Sequence, residues 1–174
     1  MDQFIRITSP WVTIIGERCS DSSRPAFEYW RIERDDSLIV LPLQEDNILL
    51  LEPVYRHGIG KSTLDFPGGR AAAIEDLEAS ALAILKRELS VSHEDVRKLT
   101  PLIGKGLFIN SSFSNQRLFA YAARLADSWV PPGEVKVLRY PASREGIGAL
   151  LATLECLQCR CVLTEFYLDK FRHA

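Results

Sequence analysis

The sequence has no apolar run long enough to cross a bilayer. The longest runs, Leu38–Leu43 and Ile48–Leu51, fall far short of the ~20 residues a spanning helix needs. Excess positive charge is also missing. There are 21 Lys and Arg against 23 Asp and Glu, a net charge of −2. No global basic field therefore draws the chain to nucleic acid or to an anionic membrane. The opening residues MDQFIRITSP lack the apolar stretch of a secretion signal, so the expected location is cytoplasmic, with reduced thiols. Cysteine is scarce. Three of the 4 lie in Cys156-x2-Cys159-x-Cys161 and Cys19 is far away. A structural zinc site pairs two short Cys or His knuckles, and no second knuckle accompanies this one. His57, His93 and His173 show no ligand spacing either. The expected role of the cysteines is in the core. Repeats, low-complexity tracts and clear linkers are absent, which leaves one domain over 1–174. Hydrophobic residues make up 47%, enough to build a core without staples.

What is present reads as strands first and helices later. FIRIT (4–8), WVTII (11–15) and FEYWRIE (27–33) are short strand-like segments within an N-terminal extension, 1–34. CSDSSRP (19–25) reads as a loop. SLIVLPL (37–43) and NILLLEPVY (47–55) predict a hairpin of buried strands, whose pairing Pro42 and Pro53 limit. From Ile74 to about Ser92 the residues Leu77, Ala81, Ile84, Leu85 and Leu89 recur at helical period. SHED (92–95) predicts a fresh helix cap. PLIGKGLFIN (101–110) and RLFAYAARL (117–125) predict strands around the loop NSSFSNQ. Residues 129–141 form a connection with a short strand, and 143–172 predict two helices. This order predicts an α/β fold with a mixed sheet between helices.

GIGKST (58–63) invites a phosphate-loop reading, but G-x4-G-K-[ST] would need glycine at position 55, where Tyr55 stands. Such a loop must also run straight into a helix, and Leu64-Asp65-Phe66-Pro67-Gly68-Gly69 follows instead. Lys61, Arg56 and His57 are still placed to touch a phosphate. The Ser-rich NSSFSNQ loop holds no G-x-S-x-G nucleophile elbow. Trp11, Phe27, Tyr29 and Trp30 are aromatic candidates for stacking a base or for building a core or dimer interface.

The segment LLLEPVYRHGIG, followed by LDFPGGR and KREL, resembles the core of the Nudix hydrolases, and within them the ADP-ribose pyrophosphatase branch. The matching pieces are Val54-Tyr55-Arg56, Phe66-Pro67-Gly68-Gly69 and FINSSFSNQRLFAYAARL. The likeness covers roughly residues 27–125. It implies a Nudix-like α/β/α sandwich, with the N-terminal strands serving as a dimerisation element of a homodimer. It implies hydrolysis of a nucleoside diphosphate linked to another moiety, of the ADP-ribose or nucleotide-sugar class, with Mg²⁺ or Mn²⁺. Glu88 would be catalytic. Arg56, Gly68, Gly69 and Arg87 would bind substrate, and Glu88, Glu75 and Glu78 would ligate metal.

The family signature is G-x5-E-x7-R-E-U-x-E-E-x-G-U, with U apolar. Reading from Gly69 supplies Glu75 but puts Ala83-Ile84 where Arg-Glu is expected. Reading from Arg87-Glu88-Leu89 matches well but puts Val91 and Ser92 at the two metal-binding glutamates and Glu94 at the glycine. The halves agree only if four extra residues lie between them. A helix carrying Glu at n, n+3 and n+4 presents three carboxylates on one face to a hard cation. Here Glu88 alone remains, which is a degenerate Nudix box. Glu75, Glu78, Glu94 and Asp95 are the carboxylates left to help from flanking turns. Two functions stay open: a hydrolase with a rearranged site, or a catalytically silent nucleotide-binding or protein-interaction module.

Overall fold

The computed structural model describes residues 2–21, 24–71 and 74–172. A three-stranded antiparallel sheet comes first, with β1 at Asp2–Thr8, β2 at Thr13–Asp21 and β3 at Arg24–Glu33. The predicted loop at 19–25 is therefore mostly strand: β2 runs on through Asp21 and β3 begins at Arg24, with 22–23 outside the described residues. Pairing overrode a polar composition there.

The main sheet has the order β11-β5-β4-β10-β9, built from Val137–Pro141, Asn47–Leu51, Ser37–Gln44, Arg117–Leu125 and Val96–Phe108. It is mixed, because β4 and β10 run parallel while the other pairs are antiparallel. β4 is apolar from Leu38 to Leu43, where both of its faces are covered. Leu38 and Val40 pack on one side with Ile84, Leu85 and Leu89 of α1 (Leu77–Leu89). Ile39, Leu41 and Leu43 pack on the other with Ile147 and Leu150 of α2 (Arg144–Thr153) and Val162 and Leu163 of α3 (Leu157–Phe171). The result is the expected α/β/α sandwich.

Pro42 shapes the site. β4 meets β5 only at Leu43–Ile48 and Gln44–Asn47, at the C-terminal end of the strand. Proline has no N–H to extend that ladder. On the same edge, the N-terminal half of β4 pairs with β8 (Gly68–Arg70) through Ile39–Gly68, Leu38–Gly69 and Ser37–Arg70. The chain leaves β5, forms the β6–β7 hairpin (Val54–Arg56 with Lys61–Thr63), and returns as β8. Gly60, at φ +68, turns that hairpin. GIGK is therefore a hairpin turn with no helix after it, which removes the phosphate-loop reading.

β9 starts at Val96, five residues before the expected strand, and carries Pro101. It is an edge strand, where proline is tolerated. No helix among the described residues is long and apolar enough to cross a membrane.

Candidate functional site

A cleft of about 1030 Å³ opens among the β6–β7 hairpin, β8, the last turn of α1 and the start of α3. Arg56, Gly68, Gly69 and Glu88, four of the residues named from the sequence, line it. Arg87 does not line it. Its Nη2 donates to the Gly68 carbonyl at 2.8 Å, and its Nε donates to Glu88 at 2.9 Å. Arg87 thus holds the loop against the helix and steadies Glu88. A Cβ on Gly69 would sit 3.0 Å from that same Nη2, so the second glycine makes room for the clamp.

The two glycines also differ in their amides. Val40 N–H donates to Pro67 O, and Ala71 N–H donates to Asp36 O, in register with the Leu38–Gly69 pair between them. Antiparallel ladders alternate, so the Gly69 amide is committed to Leu38. The Gly68 amide faces away from β4 and is the one left for a ligand.

The end of α1 explains what becomes of the signature. Ser90 adopts the left-handed conformation at φ 56, donating to Lys86 O, while Val91 N–H reaches back to Leu85 O. The Ser90–Lys86 bond is that of an αL helix ending. Val91 is 2% exposed and packs in the core beside Leu89. Ser92 donates from its hydroxyl and amide to Asp95, capping a short 3₁₀ turn at His93–Asp95, as SHED predicted. The positions expected to bear two metal-binding glutamates therefore lie past the helix, one of them in the core.

Glu75 lies in the 3₁₀ turn Ile74–Asp76, and Glu78 in the first turn of α1. Neither lines the cleft, whereas Glu88 stands at the opposite end of the helix. Glu78 and Asp76 instead face Tyr121, whose phenol pKa is raised first by burial and then by those two carboxylates. Asp76 accepts from Ala79 N–H and caps the helix. Mg²⁺ or Mn²⁺ wants several hard oxygens around one point. The side chains of Glu75, Glu78 and Glu88 do not gather into such a set. His57 packs edge-on to Tyr55 with ring centroids 5.1 Å apart and does not line the cleft.

Arg56, Lys61 and Arg70 line the cleft, each with an acidic neighbour. Arg56 donates to Asp65 at 2.8 Å, and Thr63 donates to the same oxygen at 3.0 Å. Lys61 pairs with Glu155. Arg70 pairs with Asp35, donates to Pro10 O, and lies 4.3 Å above the Trp11 ring. Trp11 is 71% exposed at the cleft mouth, while Phe27 and Trp30 do not line it. The NSSFSNQ loop borders the cleft through Gln116 and ties down β3, with Phe113 O accepting from Ile32 N–H and Asn115 accepting from Arg34 N–H.

One feature escaped the sequence reading. Asp65, Cys156 and Cys159 meet at the cleft wall, their potential ligand atoms all within 4.8 Å of one another. Cys156 caps α3. Its pKa is held well below the usual thiol value, first by the adjacent Cys159 side chain and then by helix amides, whereas Cys159 is pushed up by the closeness of Cys156 and by burial. Ninety-odd residues separate the aspartate from the cysteines, and no local pattern announces their meeting. Cys161 stands outside the group.

A crystal structure of an ADP compounds hydrolase matches with a TM-score of 0.77, over 97% of this chain and 94% of that one, at 19% identity. The fold is Nudix-like. At that identity the match speaks for the fold alone. No protein-family model matches the sequence, and no curated protein matches it significantly.

Proposed function

We propose that the cleft binds a nucleoside diphosphate linked to another moiety, of the ADP-ribose or nucleotide-sugar class, and that the domain is a Nudix-type hydrolase of that ligand. The observation that carries this reading is the cleft itself. Arg56, Lys61 and the free Gly68 amide surround one space, with Trp11 at its mouth. Cations and an amide suit a diphosphate, and an exposed indole suits a base. Glu88 is the α1 carboxylate that faces this space and is the residue assigned to turnover. A cytoplasmic location with reduced thiols belongs to the same reading. So does a homodimer formed through the N-terminal sheet, where Ile7, Ile14 and Trp30 are exposed.

The second reading, a catalytically silent nucleotide-binding module, is favoured by Val91 in the core and Ser92 in a cap. A thermal-shift and phosphate-release panel of nucleoside diphosphate derivatives, with and without Mg²⁺ or Mn²⁺, separates the two. Turnover that needs the cation and falls in Glu88→Gln supports the hydrolase. Stabilisation without turnover supports the silent module. No response to any derivative overturns both.

A further inference from the structure

We propose that Asp65, Cys156 and Cys159 form a site for one thiophilic divalent cation of the Zn²⁺ class, with its fourth coordination position open to the cleft. This goes beyond the nucleotide reading and stands without it.

The geometry brings the three donors together from distant parts of the chain. Asp65 follows the β6–β7 hairpin, and the cysteines begin α3. Their ligand atoms already lie within 4.8 Å of one another. Asp65 is held on one side, with Oδ2 taken by Arg56 and Thr63. Oδ1 is turned to Cys159, whose thiol donates to it at 3.7 Å. Cys159 is 2% exposed and is fixed from behind, because Phe66 N–H donates to its sulfur at 3.5 Å. Cys156 is only partly buried and completes the set from the N-cap position of α3.

Donor chemistry selects the ion. Two sulfurs and one oxygen suit a borderline-soft tetrahedral cation and disfavour Mg²⁺ or Mn²⁺. On binding, each thiol forms an S–metal bond as its S–H bond breaks, and the proton passes to solvent. The cation replaces the Cys159–Asp65 hydrogen bond. Three protein ligands with one open position match the pattern of catalytic zinc sites, and closed structural sites use four. The open position faces the space that Arg56 also lines.

Cobalt titration of the whole chain tests this, with phosphine-reduced protein under anaerobic conditions. We expect one equivalent of Co²⁺ to give a thiolate-to-cobalt charge-transfer band together with tetrahedral visible bands. One equivalent of Zn²⁺ should displace them. Cys156→Ser should cut the charge-transfer band by about half or more and weaken Co²⁺ binding, since one of two thiolates is lost. It is the safer variant, since its side chain is less buried than that of Cys159. Asp65→Asn should weaken Co²⁺ binding by about tenfold or more. Cys19→Ser and Cys161→Ser should leave the spectra unchanged. A missing charge-transfer band in wild type overturns the proposal, as does an undiminished band in Cys156→Ser with a wild-type melt. The readout involves no nucleotide, so failure of either reading leaves the other standing.

Discussion

The Arg87 guanidinium donates to the Gly68 carbonyl across 19 residues of sequence, at 2.8 Å. This bond closes the junction between the glycine loop and α1 and decides where Glu88 points. Gly69 lies beneath the same guanidinium, with its would-be Cβ 3.0 Å from Nη2. Gly69→Ala should therefore cost about 1–2 kcal/mol of stability, chiefly by displacing the clamp. In Arg87→Ala that penalty should shrink, since nothing is left to displace. A double-mutant cycle by urea unfolding checks this, and additive effects would show that the two residues act independently.

Restoring the signature should fail. Val91→Glu/Ser92→Glu supplies glutamates where the pattern asks for them, but position 91 is in the core and position 92 is a cap. Burying an unpaired carboxylate should cost roughly 3 kcal/mol or more. We expect a lowered melting temperature and no gain in Mg²⁺ affinity by calorimetry. A stable variant that gains tight Mg²⁺ binding would contradict this account of the helix end.

Trp11 provides a check on ligand orientation. If its indole stacks a base, Trp11→Ala should weaken binding of a nucleoside diphosphate sugar by about tenfold, a loss of ~1–2 kcal/mol. Inorganic pyrophosphate should bind wild type and variant alike. Equal losses for both ligands would point to a general change in the cleft, because Trp11 also supports Arg70.

The N-terminal sheet carries an acid-sensitive network. Arg31 donates to Glu17 at 3.0 Å and to Glu33 at 2.7 Å, and these bonds hold both carboxyl groups below their usual 4.5. A lowered folded-state pKa adds stability that is complete above the unfolded value and is lost as pH falls through the folded one. Melting temperature should therefore drop below about pH 4.5, and drop less steeply in Arg31→Gln. Parallel profiles for the two proteins would refute the role of this network.

The same sheet exposes apolar side chains. Ile7 pairs with Ile14, and Trp30 stands opposite Gly16. A Cβ at Gly16 would meet Ile5 and Phe4 within 2.7 Å, so the glycine lets Phe4 lie over the strand, edge-on to Trp30. Light scattering should report a dimer for wild type and a monomer for Ile14→Lys. A wild-type monomer at micromolar concentration would remove the homodimer from the functional reading.

Much of the fold was written in local pattern. The apolar residues of α1 recur at helical spacing, and Ala81, Ile84, Leu85 and Leu89 are indeed its buried face. The apolar run of β4 announced a buried strand, and Pro42 announced a limit to its pairing with β5. Ser92 and Asp95 announced a cap through their own short-range hydrogen bonds. All of these depend on neighbours within a few residues, so spacing alone carries them.

The site was different. The sequence named Arg56, Gly68, Gly69, Arg87 and Glu88, but gave no way to tell that Arg87 clamps the loop while the others face the cleft. It placed Glu75 and Glu78 with Glu88 in one candidate metal set, whereas a helix of 13 residues sets Glu78 and Glu88 near opposite ends. It left the cysteines as core residues, because the third donor, Asp65, arrives from 94 residues before Cys159. Residue spacing determined which segments become strands and helices. Only the packing of α3 against the returning hairpin decided which side chains share a space, because convergence across the sheet is set by tertiary contacts that no local pattern encodes.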